Sequence, residues 1–496
     1  MTIAPLAGQT VLVVGLAREG ATAARWLAGQ GARVTVSDLR PAAALADTVA
    51  EMATLGIDVR LGPQTPDLLT GVDAVVASPG VPQDHPLFQA AHLLGLPVTT
   101  ETRLFAQRCP APIVGITGSS GKTTTTTLTF DMLEASGVRT WLGGNIGAPL
   151  LGRQDDMTPD DRVVVELSSF QLLYWQGSTA AAAPADAVPW HDLRGLSPHI
   201  AAVLNITPNH LDRHPSMSHY AAAKANILAY QGSSDVAVLS HDDDVTGAWA
   251  AQSRVAIEAG PGQAAVSFEL AGQLLTFGLA TAPAGNGAWC DKDWVWWRWQ
   301  DKTERILPRK EFQLRGQHNL ANLLAACCLA GAAGAYPEAM RQAAASFRGV
   351  EHRLEVVRKL GGVLWINDSI ATSPERALAA LHSFDEPLIL LAGGRDKRLP
   401  WDAWAAVVHR STRYVITFGE AASLIAEALT PAPADSRLET VLAAEDLSEA
   451  VAFAHRVACP GDVVLLSPGG TSYDAYVDFA ARGQHFRDLV NAFPAA

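Results

Sequence analysis

The sequence predicts an α/β protein of three successive domains with mostly parallel sheets. Three observations predict it. Strand-like apolar runs alternate with alanine-rich helical stretches along most of the chain, as in helices layered on parallel strands. That pattern restarts three times, which divides the chain at 1–109, 110–349 and 350–496. The length of 496 residues suits two to four domains.

Composition bounds the function. Hydrophobic residues make up 48% and charged residues 18%, ordinary for globular material with ample core. The 37 basic and 50 acidic residues leave a formal charge of −13, which argues against a nucleic acid or an anionic membrane as partner. The five cysteines, Cys109, Cys290, Cys327, Cys328 and Cys459, form no Cys-x-x-Cys pair and fit the reduced thiols of a cytosol. The N-terminus "MTIAPLAGQT" has no basic segment followed by an apolar core, and runs such as "VVLLS" are too short to cross a bilayer. A cytoplasmic protein is expected.

The first segment opens "TVLVVGLAREGATAARWLAGQGARVTVSDLR". A strand at 10–14 meets Gly15, a helix runs to about Gly29, and a second strand ends at Asp38. An acid 23 positions after the first glycine suits a Rossmann-like opening. Ala17 stands where the second glycine of that fingerprint belongs, so a plain strand-turn-helix remains open. "VVASPGVP" at 75–82 is a further strand running into a Gly/Pro turn on the same edge, with Ser78 and Gly80 in that turn.

The second segment carries "GITGSSGKTTTT" at 115–126. A strand ending near Thr117 turns through Gly118, Ser119, Ser120 and Gly121 and enters a helix at Lys122. N–H groups of the turn and of the helix start, as far as Thr124, would face phosphate oxygens. Lys122 would reach the outer phosphates and the Thr123 hydroxyl would bind Mg²⁺. Ile116 holds the place of the usual first glycine, so a Gly/Ser turn before a threonine-rich helix is the alternative. The Gly-Lys-Thr-Thr ending argues against it. "STAAAAPADAVPWHDLRGLSP" (178–198) reads as a surface insertion, and "AWCDKDWVWWRWQDKT" (288–303) as a tryptophan-rich hairpin used for packing, base stacking being disfavoured by the acidic chain and the lack of basic residues nearby.

Two more strand ends in this segment carry polar residues. "RVVVELSSFQL" is a buried strand with Glu166 at its tip, suited to Mg²⁺. "AAVLNITPNHLDRH" ends in Asn205, Thr207, Asn209, His210 and Asp212. "SHYAAAKANILAY" reads as a helix whose Lys224, taken alone, is a solvated charge. The third segment begins near Val350, and in "GGVLWINDSIATSPERALAALHSF" Ser373 is the expected N-cap, with Pro374 and Glu375 in the first turn. Strands follow in "PLILLAGG", "YVITFG" and "DVVLLSPGG".

Eight stretches, in order along nearly the whole chain, together resemble the Mur ligases: "GITGSSGKTT", "GGNIG", "ELSSFQL", "NITPNHLDRH", "YAAAKANI", "GQHNLAN", "EHRLE" and "NDSIATSP". The family's phosphate loop has its glycines placed like these. The resemblance implies a Rossmann-like first domain for a uridine nucleotide, a central P-loop ATPase domain and a Rossmann-like C-terminal domain for an amino acid. The implied activity is ATP-dependent joining of D-glutamate to UDP-N-acetylmuramoyl-L-alanine through an acyl phosphate, in peptidoglycan precursor synthesis, by a cytoplasmic monomer. Position by position it implies Lys122 and Thr123 at ATP and Mg²⁺, with Glu166 on that metal. It makes Lys224 a CO₂-carbamylated ligand that holds a second Mg²⁺ with His210, and sets Asn145 at the acceptor. Asn319 and Asn322 would flank the adenine, and Arg353 and Asp368 would meet phosphate and ribose. Asp38 and the Ser78–Gly80 turn would grip the uridine nucleotide. Thr372, Lys397, Ser472 and the Phe479 backbone would surround D-glutamate.

Three loops depart from the family pattern. Ile370 stands where a lysine is usual, Arg395 and Asp396 precede Lys397, and "SPACAS" is "SPGGTS". All three touch the amino acid in the family, so L-glutamate or another amino acid is the alternative substrate, with Arg395 as a replacement cation. A folylpolyglutamate synthase would lack the first domain. A P-loop ATPase that is not a ligase is the other class, and a GTPase would need an Asn-Lys-x-Asp motif.

Overall fold

The computed structural model describes residues 6–176, 195–210, 213–258, 265–270, 272–279, 281–300, 302–397 and 399–494. The expected insertion at 178–198, except for its end, and Asp212 lie outside the described residues. The chain separates into two compact units, Met1–Phe312 with Gln317–Ser346, and Gln313–Gly316 with Phe347–Ala496.

The first unit holds two large sheets. Five parallel strands run in the order Asp58–Leu61, Arg33–Asp38, Thr10–Val14, Ala74–Ala77, Val98–Thr99. Val11 to Val14 are wholly buried, as a central parallel strand covered on both faces requires. The helix Arg18–Gly29 follows that strand and buries Ala21, Ala23, Ala24 and Leu27 against it.

The second sheet has nine strands, and its parallel part runs Thr140–Gly144, Arg162–Glu166, Ile113–Thr117, Ile200–Val203, Val236–Ser240, Gln273–Gly278, Gly287–Cys290. Trp294–Trp299 and Lys302–Pro308 complete it antiparallel. The helix Gln317–Ala332 is buried along most of its length, since nearly every residue from Asn319 to Gly331 is apolar or small. The tryptophan-rich segment is a hairpin as expected. Trp297 turns inward onto Gly331, while Trp289 and Trp296 stack outside with centroids 6.0 Å apart. Basic residues do lie beside it, because Arg298 covers Trp289 and Arg305 covers Trp294 and Trp296.

The second unit is a six-stranded sheet in the order Glu355–Leu360, Val363–Asn367, Val463–Gly469, Leu388–Gly393, Thr412–Phe418, Thr440–Ala443. Only the first pair is antiparallel. Separate apolar clusters cover its two faces, one with the helices Pro374–Leu381 and Asp402–Ser411, the other with Leu447–Val457 and Phe479–Asn491. Ser373 occupies the N-cap position before Pro374, but its side chain makes no capping bond. Among the described residues no helix is long and apolar enough to cross a membrane.

Within the first unit the two sheets meet at a polar seam. Arg18 donates to the Gly147 carbonyl at 2.5 Å, and Gln171 donates to Glu19 at 3.1 Å. Glu101, 2% exposed, accepts the Leu151 N–H at 2.9 Å. Burial, with Glu19 nearby, pushes the Glu101 carboxyl up from 4.5 to about 8. A raised carboxyl pKa favours the fold below its unfolded value, and that contribution is lost as pH rises through about 8. Glu101→Gln keeps the acceptor and removes the titration. Its Tm should therefore gain on wild type between about pH 5 and 8 and level off above that in a thermal-shift series. A Tm difference that stays flat across that range would show Glu101 to be ionised in the fold.

Candidate active site

Three adjacent strands of the nine-stranded sheet, Arg162–Glu166, Ile113–Thr117 and Ile200–Val203, end at one edge. Their C-terminal ends are where an open α/β sheet gathers ligand contacts. From the middle strand the chain turns through Gly118 to Gly121 and enters the helix Lys122–Ala135. Gly121 is left-handed (φ 80°), and a Cβ there would stand 2.1 Å from Asn322 Oδ1. Only glycine fits. It also gives the helix no side-chain cap, which leaves first-turn N–H groups for an anion.

Asn205, from the neighbouring strand end, fastens the loop. Its side-chain carbonyl accepts the Ser120 N–H at 2.9 Å, and its backbone carbonyl accepts the Ser119 N–H at 3.0 Å. Ser119 Oγ donates to the Thr207 carbonyl at 3.0 Å. The sequence placed Asn205 at a polar strand end, and its role as the loop's fastener comes from the pairing of the two strands.

Two lysines converge on the turn. Lys122 Nζ donates to the Gly118 carbonyl at 2.9 Å, and Lys224 Nζ donates to the same oxygen at 2.8 Å. Lys224 also lies 4.6 Å from the Tyr220 ring centre. It is 1% exposed, so reading it as a solvated helix charge is corrected: its side chain points into the sheet edge. Burial drives its amine well below the usual lysine range, the Lys122 charge pushes the same way, and Glu166 opposes both.

Glu166 organises the other side. It is 2% exposed and accepts from Thr123 Oγ1 at 2.8 Å and from Asn145 Nδ2 at 2.9 Å. A hydroxyl, a carboxylate and an amide brought together are the hard oxygen donors that Mg²⁺ takes. His210 is held at φ 55° with its ring edge-on to Phe170, centroids 5.2 Å apart. Among the described residues no group of three or more His, Cys, Asp or Glu stands ready for a metal.

Two histidines absent from the sequence reading lie beneath. His214 Nε2 hydrogen-bonds to Ser169 Oγ at 2.9 Å, and its Nδ1 to His219 Nδ1 at 2.7 Å. Phe170 stacks on His214 and Tyr220 meets it edge-on. Burial first, and then the charges of its neighbours, bring His214 down to about 3, so the pair is neutral. It ties the turn after Glu166 to the helix that bears Lys224. The signal in the sequence was "DRHPSMSHY", two histidines flanking the start of that helix.

At the edge of the five-stranded sheet, Asp38 accepts the Leu16 N–H at 2.7 Å and the Arg40 side chain at 2.8 and 3.0 Å. Burial raises its pKa, but the bonds from Arg40 and Leu16 outweigh that and hold it at about 2. Ser78 Oγ donates to the Gly15 carbonyl at 2.8 Å, and Gly80 lies exposed in the turn that follows. Asn322 donates to Asn319 at 3.3 Å beside the phosphate loop.

In the second unit, Asp368 is buried and accepts from Ser467 Oγ at 2.8 Å and the Leu354 N–H at 3.2 Å. Burial pushes its carboxyl up to about 7, while these bonds and the nearby Arg353 pull the other way. Lys397 Nζ lies 3.3 Å from Thr372 Oγ1, Ser472 is 2% exposed, and the Phe479 carbonyl accepts from Ser369 Oγ at 2.8 Å. Arg395, the expected replacement for a lysine at Ile370, is engaged elsewhere. It holds Glu420 through two bonds of 2.7 and 2.8 Å.

A buried ammonium beside a second cation opposes folding at neutral pH, because the unfolded chain keeps it charged in water. Lys224→Met retains the length and removes the amine. Its Tm in CO₂-free buffer should be at or above that of wild type. A fall of more than about 5 °C would mean that the amine is a net stabiliser.

Three domain models match in succession. The Mur ligase MurD-like N-terminal domain matches residues 9–100, the Mur ligase middle domain 116–330, and the Mur ligase glutamate ligase domain 352–470. A UDP-N-acetylmuramoylalanine–D-glutamate ligase of Symbiobacterium thermophilum is 39% identical over 97% of each chain. One of Clostridium botulinum is 36% identical over 97% of this chain and 96% of its own. Among solved structures, a UDP-N-acetylmuramate-alanine ligase from Thermotoga maritima aligns over 97% of this chain and 99% of its own, with a TM-score of 0.54 at 18% identity, a likeness of fold. The loop, the strand-tip glutamate and the buried lysine thus stand in a chain whose N-terminal, middle and C-terminal parts all match one set of relatives, and this chain belongs to the Mur ligase family.

Proposed function

We propose that this chain joins D-glutamate to UDP-N-acetylmuramoyl-L-alanine at the expense of ATP, in peptidoglycan precursor synthesis. The observation that carries it is the 39% identity, over 97% of both chains, to a ligase named for that reaction. The domains are 1–109, a Rossmann-like nucleotide-substrate domain, 110–349, a P-loop ATPase domain, and 350–496, a Rossmann-like amino-acid domain. The working form is a cytoplasmic monomer.

The chemistry needs help at two points. A carboxylate is a poor electrophile, and two anions must approach when it attacks the γ-phosphoryl group. In the first step a carboxylate oxygen bonds to the γ-phosphorus and the bond to ADP breaks, which gives an acyl phosphate. In the second the glutamate amine attacks the acyl carbon, inorganic phosphate leaves with the bonding pair, and the amine loses a proton. Lys122, freed from the Gly118 carbonyl, neutralises the transferring phosphoryl. Loop N–H groups from Gly118 to Thr124 cradle the other phosphates, with Asn319 and Asn322 at the base and Arg353 and Asp368 at phosphate and ribose.

Thr123 and Glu166 would hold Mg²⁺, which when bound offsets charge between phosphate and carboxylate oxygens. Asn145, already bonded to Glu166, orients the acceptor. The neutral amine of Lys224 is the form that adds CO₂: its nitrogen bonds to carbon, a proton leaves, and a carbamate anion results. With His210 it would hold a second Mg²⁺. Burial that disfavours an ammonium beside Lys122 supports this conversion. Asp38, Ser78 and Gly80 would grip the uridine nucleotide, and Thr372, Lys397, Ser472 and the Phe479 backbone the glutamate.

Phosphate release is the direct test. It should require the nucleotide acceptor and D-glutamate together, and Lys122→Ala should lower it by about a hundredfold or more. Release with L-glutamate alone would transfer the assignment to that enantiomer, and release indifferent to any amino acid would leave an ATPase. The carbamate has its own readout. With ¹³C-bicarbonate the wild-type protein should show a carbamate carbon resonance that Lys224→Met lacks. Identical spectra from the two proteins would exclude the modification.

A further inference from the structure

Loops that follow three neighbouring strands of the second unit, Val363–Asn367, Val463–Gly469 and Leu388–Gly393, close on one buried side chain. Arg482, in the first turn of the helix Phe479–Asn491, is 0% exposed. Its Nε donates to Ser369 Oγ at 3.0 Å, its Nη2 to the Ser369 carbonyl at 2.9 Å, and its Nη1 to the Gly470 carbonyl at 3.2 Å. Among the described residues these acceptors are a hydroxyl and two carbonyls, with no carboxylate.

The third loop is drawn in through the second. Arg395 and Thr471 exchange two backbone hydrogen bonds of 2.8 Å. A Cβ on Gly394 would stand 2.8 Å from Arg482 Nη1, and one on Gly470 would stand 2.5 Å from the Gly393 carbonyl. The backbone therefore packs directly around the guanidinium, which accounts for glycine at 470 in "SPGGTS".

No carboxylate hydrogen-bonds to Arg482, and the negative charge acting on it, Asp474, does so through space. Burial brings Arg482 down to about 10, still charged at neutral pH. The same loops have Ile370 in place of a cation, and Arg395 is neutralised by Glu420. We propose that Arg482 is the positioning residue of the amino-acid site. It fixes the turns Ser369–Thr372 and Gly470–Ser472 at one spacing, so that the groups of both turns meet the amino acid together. This rests on the D-glutamate reading above.

The test varies each of the three substrates in turn for Arg482→Met and Arg482→Lys. Arg482→Met should raise the D-glutamate KM about tenfold or more, as expected for lost charged hydrogen bonds, with the other two KM values within about twofold of wild type. Arg482→Lys should recover part of that rise, since it restores charge without the fork. If Arg482→Met does not fold, Ser369→Ala removes one contact and should raise the same KM about threefold with the same selectivity. An unchanged D-glutamate KM in folded Arg482→Met, or in Ser369→Ala, overturns the proposal. So does a parallel rise in all three KM values. A wild-type protein that joins another amino acid instead sinks only the D-glutamate reading, and the KM split measured with that amino acid still decides Arg482.

Discussion

The carbonyl oxygen of Gly118 accepts from two lysines, and much of the first unit's site follows from that shared contact. Lys122 lies at the mouth of the loop, half-buried, whereas Lys224 is sealed beneath it. Two ammonium groups sharing one acceptor repel, by an amount on the order of a few kcal/mol at the effective dielectric of a partly buried site. Burial of the inner one adds a desolvation cost. Both effects press on the inner amine, whose pKa falls well below the usual lysine range. One backbone turn thereby gives two residues of the same type different settings, one at the mouth of the loop and one sealed beneath it.

How much of this was legible varies with the residue. Phosphate loop, strand-tip glutamate and helix start could be read because each depends on neighbours in sequence: an apolar run, a glycine turn, a polar tip. The structure sets Thr123, Asn145 and Glu166 in contact, as a shared sheet edge implies. Lys224 was misread when taken alone, because a lysine in an alanine-rich helix carries no mark of which face is buried. Its burial comes from the strands Ile113–Thr117 and Ile200–Val203, more than twenty residues away in sequence or further. Arg482, Glu101 and the His214–His219 pair were missed for the same reason. Each is a charged or titratable residue in a helix or beside one, and only tertiary packing distinguishes it from a surface residue.

Departures from the family pattern also acquire physical reasons. Gly469 is left-handed (φ 71°), and a Cβ there would stand 2.6 Å from the Trp401 ring. A bulky indole, itself 5% exposed, therefore goes together with glycine at the loop it covers. Trp401 also donates to Asp396 at 3.2 Å, which ties the unusual "GRDKR" loop to the same tryptophan. Arg395 and Glu420 satisfy each other at the surface, so the extra arginine brings no net charge to the loop. Gly469 and Asp396 thus both meet Trp401. For Ile370 the structure offers no such compensating contact.

A neutral buried pair holds two segments of the first unit together: His214 and His219 join them by a bond between uncharged rings. In the second unit Asp368 accepts from the Leu354 backbone with its carboxyl raised to about 7. An ionised His214 would add a fixed positive charge close to Lys224. It would also draw in water, which destroys an acyl phosphate. A neutral hydrogen bond in a dry setting is strong enough to hold a loop and leaves the local potential to the residues that meet the substrates. Arg482 differs: it is a buried charge whose hydrogen-bond acceptors are neutral and on which Asp474 acts through space. It holds two turns by charged hydrogen bonds where the first unit uses neutral ones.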